Sequence, residues 1–194
     1  GGMTLQQDGS LLMFHDRGTV TRWADGQTVE TIIEEIPDET RSRFNDVAAD
    51  PRGRVFGGTM PIDKPDGGGW ERLGRLYRVD TDRSYQIVGD GFGCANGMGW
   101  TLDHKRMFFT DSHARTIWVY DYDLDTGHIE NQRPFATTPD DRVPDGMTVD
   151  SEGCVWSAEW NGYGVTRYDP DGKKMLHLDL PAKQTTSVMF GGPD

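Results

Sequence analysis

The sequence predicts an all-β protein, a β-propeller, on three observations. One pattern recurs four times: an aspartate-led turn, an apolar strand, a second turn, another apolar strand. The lead aspartates Asp8, Asp50, Asp103 and Asp150 are spaced 42, 53 and 47 residues, close to the repeat of about 40–50 residues found in propeller blades. No apolar stretch with a helical period reaches helical length, whereas short apolar runs alternate between turn residues.

The elements follow in order. Asp8-Gly9-Ser10 leads into LLMF, and Gly18 into TVTRW. Asp50-Pro51-Arg52-Gly53 leads into RVFGGTM, and Gly74 into RLYRVD. Asp103-His104-Lys105-Arg106 leads into MFFTD, followed by TIWVYDYD. Asp150-Ser151-Glu152-Gly153 leads into CVWSAEW, and Gly164 into VTRYD. A fifth unit begins at TTSVMFGG, Thr185 to Gly192. Aspartate opens such turns because its short side chain accepts from the backbone two residues on. Within TIWVYDYD, Ile117, Val119 and Asp121 fall on one face, Trp118 and Tyr120 on the other. One such unit cannot bury both faces of its sheet. Copies stacked around an axis bury them and leave only short edges, which a sandwich would not need four similar units to do.

Composition narrows the function. Twenty basic residues against 32 acidic give a net charge of −12, which works against binding a phosphate backbone and excludes nucleic acid as the expected partner. No run approaches the ~20 apolar residues of a membrane helix, and no segment resembles a signal peptide. Cys94 and Cys154 are far apart with no C-x-x-C. They read as two buried free thiols in a reducing compartment, and the protein as cytoplasmic. His15, His104, His113, His128 and His177 form no ligand spacing and read as surface imidazoles. The balance suits a neutral or cationic small molecule.

A second regularity precedes the turns: Asn45-Asp46-Val47, Asn96-Gly97-Met98 and Asp145-Gly146-Met147. In a propeller the innermost strands line the central channel, so these equivalent positions are expected to converge. Three oxygen-bearing side chains there suit a hard cation. Asn-Gly and Asp-Gly are also ordinary turn dipeptides, and each of the three taken singly reads more readily as a turn than as a ligand. Recurrence in three units favours the site, as does Arg43 two residues before Asn45.

Other signals read as structure. Asp121, Asp123 and Asp125 spell D-x-D-x-D, but the sixth position is Thr126 and the twelfth Gln132, where a helix-flanked calcium loop needs glycine and glutamate. A hairpin turn is expected there. Asp111-Ser112 reads as a turn cap with a possible supporting role near the channel, and Trp118 and Trp156 as core. Ser10, Ser112 and Ser187 lack the G-x-S-x-G of a serine hydrolase. The run Gly67-Gly68-Gly69 lacks the Lys-Ser/Thr of a phosphate loop and reads as a long loop over the channel mouth.

SRFNDVAADPRGRVFGGTM, NGMGWTLDHKRMFFTDS, DYDLDTGHIENQRPF, VPDGMTVDSEGCVWSAEWNG and TTSVMFGG, in this order, resemble the SMP-30/gluconolactonase/LRE (regucalcin-like) family along nearly the whole chain. The resemblance implies a six-bladed β-propeller and a divalent-metal-dependent lactonase acting on sugar lactones. It implies metal ligation by Asn96 and Asp145, with Asp145 also the general base. It implies substrate contacts from Arg43 and Asn45, and from Asp63 through a looser alignment. The cation would be Ca2+, Zn2+, Mn2+ or Mg2+, since an all-oxygen set suits the hard ions and zinc also accepts carboxylates. The family's N-terminal metal-ligand glutamate has no counterpart here; Glu30, Glu34 and Glu35 fall in a later segment. Residues 1–194 thus read as one propeller domain lacking the first blade and most of the last. Two other readings compete: a metal-binding or interaction propeller without turnover, and a related propeller esterase acting on aryl or phosphate esters. The sequence leaves the lactone and the oligomeric state open.

Overall fold

The computed structural model describes residues 1–63 and 71–191. The run Gly67-Gly68-Gly69 and the last residue of TTSVMFGG lie outside them. Among the described residues the strands form four four-stranded antiparallel sheets, each a meander of consecutive strands. The first holds β1 (Met3–Leu5), β2 (Leu11–Phe14), β3 (Val20–Ala24) and β4 (Gln27–Ile33). A 3-10 turn, Pro37–Glu39, leads to the second: β5 (Ser42–Ala49), β6 (Val55–Pro61), β7 (Gly74–Val79) and β8 (Tyr85–Phe92). The third holds β9 (Ala95–Trp100), β10 (Arg106–Asp111), β11 (Thr116–Tyr122) and β12 (Ile129–Thr137). The fourth holds β13 (Val143–Val149), β14 (Val155–Trp160), β15 (Gly164–Tyr168) and β16 (Lys174–Asp179).

The aspartate turns join the first and second strands of each sheet. Asp8 accepts from the Ser10 amide at 2.9 Å, Asp50 from Arg52 at 2.8 Å, Asp103 from Lys105 at 3.1 Å and Asp150 from Glu152 at 2.9 Å. All four behave as the sequence predicts, but they are not equivalent positions. The turn-closing bonds run from Gly9 to the Gln6 carbonyl, Gly53 to Asp50, His104 to Thr101 and Gly153 to Asp150. The structural repeat therefore starts at 6, 50, 101 and 150, spaced 44, 51 and 49 residues. In the third turn the Thr101 hydroxyl accepts the Arg106 amide at 3.0 Å, where Asp50 and Asp150 accept Arg54 and Cys154. His104 takes the positive φ, 54°, that glycine takes in the other three.

The chain divides into two compact units, Gly1–Ala95 and Asn96–Asp194. In the first, Phe14, Val20, Phe44, Val55 and Tyr77 form one cluster between the first and second sheets. Phe14 meets Phe44 edge-on at 5.1 Å, and Phe44 meets Tyr77 at 5.8 Å. In the second, Phe108, Ile117, Val119, Met147, Val155 and Tyr168 pack the third sheet on the fourth. β11 departs from simple alternation. Ile117, Val119 and Tyr120 are all buried, because both faces are covered and the register shifts between Val119 and Asp121. Burial falls off toward the last strand of each sheet; along β16 every residue but His177 is exposed.

Each unit also buries a carboxylate. Glu39, fully buried, accepts from the Ser42 hydroxyl, Arg75 Nη1 at 2.9 Å and the Tyr77 hydroxyl at 2.6 Å. Burial first, then that bond to Glu39, pushes the Tyr77 hydroxyl far above the usual phenol range. In the second unit Glu159 accepts from Thr166 at 2.6 Å and Arg142 at 3.3 Å. His177 departs from the surface reading. Its side chain is 14% exposed, and Nδ1 lies 2.9 Å from the Thr166 hydroxyl. The other four histidines are exposed or half-buried. Cys94 and Cys154 are buried free thiols, as expected.

Candidate active site

The first strands of two sheets carry the same defect. On β5, Phe44 pairs with Thr59 and Val47 with Gly57, so Asn45 and Asp46 oppose one residue. On β13, Pro144 pairs with Glu159 and Met147 with Ser157, so Asp145 and Gly146 oppose one residue. Such a bulge bends the strand and re-aims its side chains, which is why bulges collect beside functional sites. The Asn-Asp and Asp-Gly dipeptides are therefore bulges inside strands rather than hairpin turns.

In the first unit, Asn45 is held at both ends of its amide. Its Oδ1 accepts from Arg43 Nη1 at 2.9 Å, and its Nδ2 donates to the Ala95 carbonyl at 2.9 Å. Arg43 Nη1 also donates to the Phe44 carbonyl at 3.0 Å, and Nη2 lies 3.2 Å from the Met60 sulfur. The guanidinium fork is thus fixed beside the bulge. Asp46, the second bulge residue, was not singled out by the sequence. Burial raises its carboxyl above the ordinary range, against the hydrogen bond it accepts from the Val47 amide. Asp63 lies exposed just beyond the end of β6.

In the second unit, Asn96 on β9 is 8% exposed and donates from Nδ2 to the Ser112 hydroxyl at 2.8 Å. Ser112 donates in turn to the Pro144 carbonyl at 2.6 Å, one residue before Asp145. Gly97 permits the close approach of β9 to β13: a Cβ there would stand 2.6 Å from the Met147 nitrogen and 2.7 Å from the Asp145 carbonyl oxygen. Gly146 repeats this one step on. Its amide donates to the Thr186 carbonyl at 2.9 Å, and a Cβ would stand 2.7 Å from that oxygen. Asp145 is half-buried on its bulge. The structure thus joins Arg43 with Asn45 in the first unit, and the Asn96 and Asp145 strands in the second. An amide oxygen and a carboxylate on two strands at closest approach fit a hard divalent cation.

The sequence reading gave Ser112 only a possible supporting role; its bridge from β9 to β13 depends on packing between two sheets, which no local pattern records. The D-x-D-x-D run begins in β11 at Asp121 and enters a hairpin turn after Asp123, as expected. Asp123 accepts from the Thr126 amide and hydroxyl at 2.7 Å, while Asp121 pairs with Arg133 at 2.7 Å. A different acid group, Asp150, Glu152 and Cys154, brings ligand atoms within 4.8 Å of one another. Arg167 Nη2 fills it, 2.6 Å from Asp150 and 2.5 Å from Glu152, and the Trp156 indole donates to Asp150 at 2.8 Å. Burial works against the Asp150 charge, but bonds from Trp156, the Cys154 amide and Arg167 outweigh it and hold the carboxyl at about 2. Burial also raises the Cys154 thiol, which opposes thiolate ligation. This group clamps a turn.

Fold and residues together define a class: an all-β protein of repeated four-stranded sheets whose first strands carry the candidate amide and carboxylate side chains. Residues 1–194 match the SMP-30/gluconolactonase/LRE-like region, and the chain belongs to that family. It is 48% identical over 194 residues to pentonolactonase XacC of Haloferax volcanii, covering 100% of this chain and 63% of that one. It is 39% identical over 180 residues to regucalcin of Gallus gallus, covering 92% and 60%. The solved structure of a calcium-binding protein, regucalcin of Agrobacterium tumefaciens, matches with a TM-score of 0.87 at 26% identity, over 99% of this chain and 64% of that one. The chain spans about three fifths of the length of these relatives. Among the described residues no helix is long and apolar enough to cross a membrane.

Proposed function

We propose that the protein is a β-propeller lactonase, a divalent-metal-dependent hydrolase that opens sugar lactones. The observation that carries the reading is the seating of Asn96 and Asp145 on adjacent first strands where Gly97 lets the two backbones meet. The likeness to a pentonolactonase supports the substrate class. In this reading each sheet is a blade, and the chain is one propeller domain.

Asn96 offers its amide oxygen and Asp145 its carboxylate to the cation, which is calcium, magnesium, manganese or zinc. When bound, the ion supplies Lewis-acid polarisation of the lactone carbonyl. Asp145 takes the proton from the water that attacks the carbonyl carbon and returns it to the ring oxygen as the ring C–O bond breaks. A carboxylate shared with a cation is a weak base, so the role rests on one of its oxygens facing the water. Arg43 holds substrate oxygens with its fork of donors, Asn45 fixes that fork, and Asp63 accepts from a sugar hydroxyl. The test is acid release from D-glucono-1,5-lactone and a pentonolactone, with each cation and with chelator. A metal-dependent rate above spontaneous opening is expected; equal rates with and without chelator contradict the reading.

The likeness to a calcium-binding regucalcin favours a second reading, a metal-binding propeller without turnover. It predicts cation binding with no lactone opening.

A further inference from the structure

We infer that Ser112 is a positioning residue that sets which end of the Asn96 amide faces the cation. This rests on the metal reading above. The argument is one of proton counting. The Pro144 carbonyl can only accept, so the single Ser112 proton, donated to it at 2.6 Å, is committed there. The Ser112 oxygen can then only accept from Asn96, and the atom 2.8 Å away must be the amide nitrogen. The amide oxygen is thereby turned away from Ser112. A hard cation needs that oxygen; the NH2 group repels it. Ser112 is 4% exposed, so water does not replace either bond freely. The same hydroxyl ties the Asn96 strand to the carbonyl just before Asp145. That tie persists whatever stands at position 96, so the setting of the amide is read in the difference between the wild-type and Asn96→Asp backgrounds.

Removing such outer partners costs about 10- to 100-fold in metal affinity. The experiment titrates calcium, and separately manganese, into the protein and reads the dissociation constant by calorimetry, without substrate. Ser112→Ala is expected to weaken binding within that range, and Ser112→Thr, which keeps the hydroxyl, to hold wild-type affinity. The decisive arm is Asn96→Asp. A carboxylate presents oxygen at both ends, so Ser112→Ala in that background loses much less affinity. An equal loss in both backgrounds, or none in either, overturns the proposal. If Ser112→Ala does not fold, Ser112→Cys replaces it, with similar size and a poor hydrogen bond. Wild-type affinity in Ser112→Cys overturns the proposal; loss with retention in Ser112→Thr sustains it. Unchanged binding in both Asn96→Ala and Asp145→Ala instead sinks the metal reading, and this proposal with it.

Discussion

Gly97 stands against Asp145 so closely that a single added carbon would lie 2.7 Å from the Asp145 carbonyl oxygen. The neighbours are backbone atoms on both sides, the Met147 nitrogen and the Asp145 carbonyl, and neither can rotate away. Gly97→Ala therefore has to push β9 from β13. The expected cost is about 1–3 kcal/mol, read as a lower melting temperature in chelator, together with weaker calcium binding. A variant matching wild type in both measurements contradicts the contact.

In the proposed site Asn45 acts through Arg43, whose Nη1 donates to its Oδ1 at 2.9 Å. Asn45→Ala removes one of the guanidinium's anchors, leaving the Phe44 carbonyl and the Met60 sulfur, and keeps its charge in place. The expected result is a KM for lactone about 10-fold higher, equivalent to ~1.4 kcal/mol of binding, with a smaller change in kcat. An unchanged KM removes the arginine fork from substrate binding.

Acid sensitivity follows from Asp150, whose carboxyl sits at about 2 in the folded chain. Its value in the unfolded chain is near 4. A lowered folded value means that the unfolded chain takes up the proton first as pH falls. The contribution is full above pH ~4 and is lost between ~4 and ~2. Asp150→Asn should lower the melting temperature at pH 7 and flatten its fall in that window. Parallel curves for the two proteins contradict the assignment.

The buried Glu39 depends on its donors. Tyr77→Phe removes the hydroxyl donating at 2.6 Å and leaves a carboxylate with full burial and fewer bonds. A loss of about 1–3 kcal/mol is expected by denaturant titration. A variant as stable as wild type places the weight on Ser42 and Arg75 instead.

How much of this was legible in the sequence follows from the range of each interaction. The aspartate turns act within four residues, so their motif could be read directly. Their exact equivalence could not, because Gln6 and Thr101 fill positions that Asp50 and Asp150 fill elsewhere, and only the closing bonds show it. The bulges at Asn45-Asp46 and Asp145-Gly146 were visible as turn-like dipeptides, yet their place inside strands comes from pairing with β6 and β14. His177 looked like a surface residue because its partners, Thr166 and Glu159, lie on other strands. Asn96 and Asp145 were singled out by recurrence. Ser112, which links their strands, reads from the sequence as a turn cap near the channel, and its bridge does not show there because its bonds reach 16 and 32 positions along the chain.

The central claim is that Asp145 is both cation ligand and general base for lactone opening. The most direct test compares wild type with Asp145→Asn at saturating manganese, following acid release from a sugar lactone. The asparagine keeps an oxygen donor and the size of the side chain but cannot take a proton. A fall of about 10²–10⁴-fold in kcat, with the metal content retained, is the predicted result. A variant that opens the lactone at the wild-type rate contradicts the account.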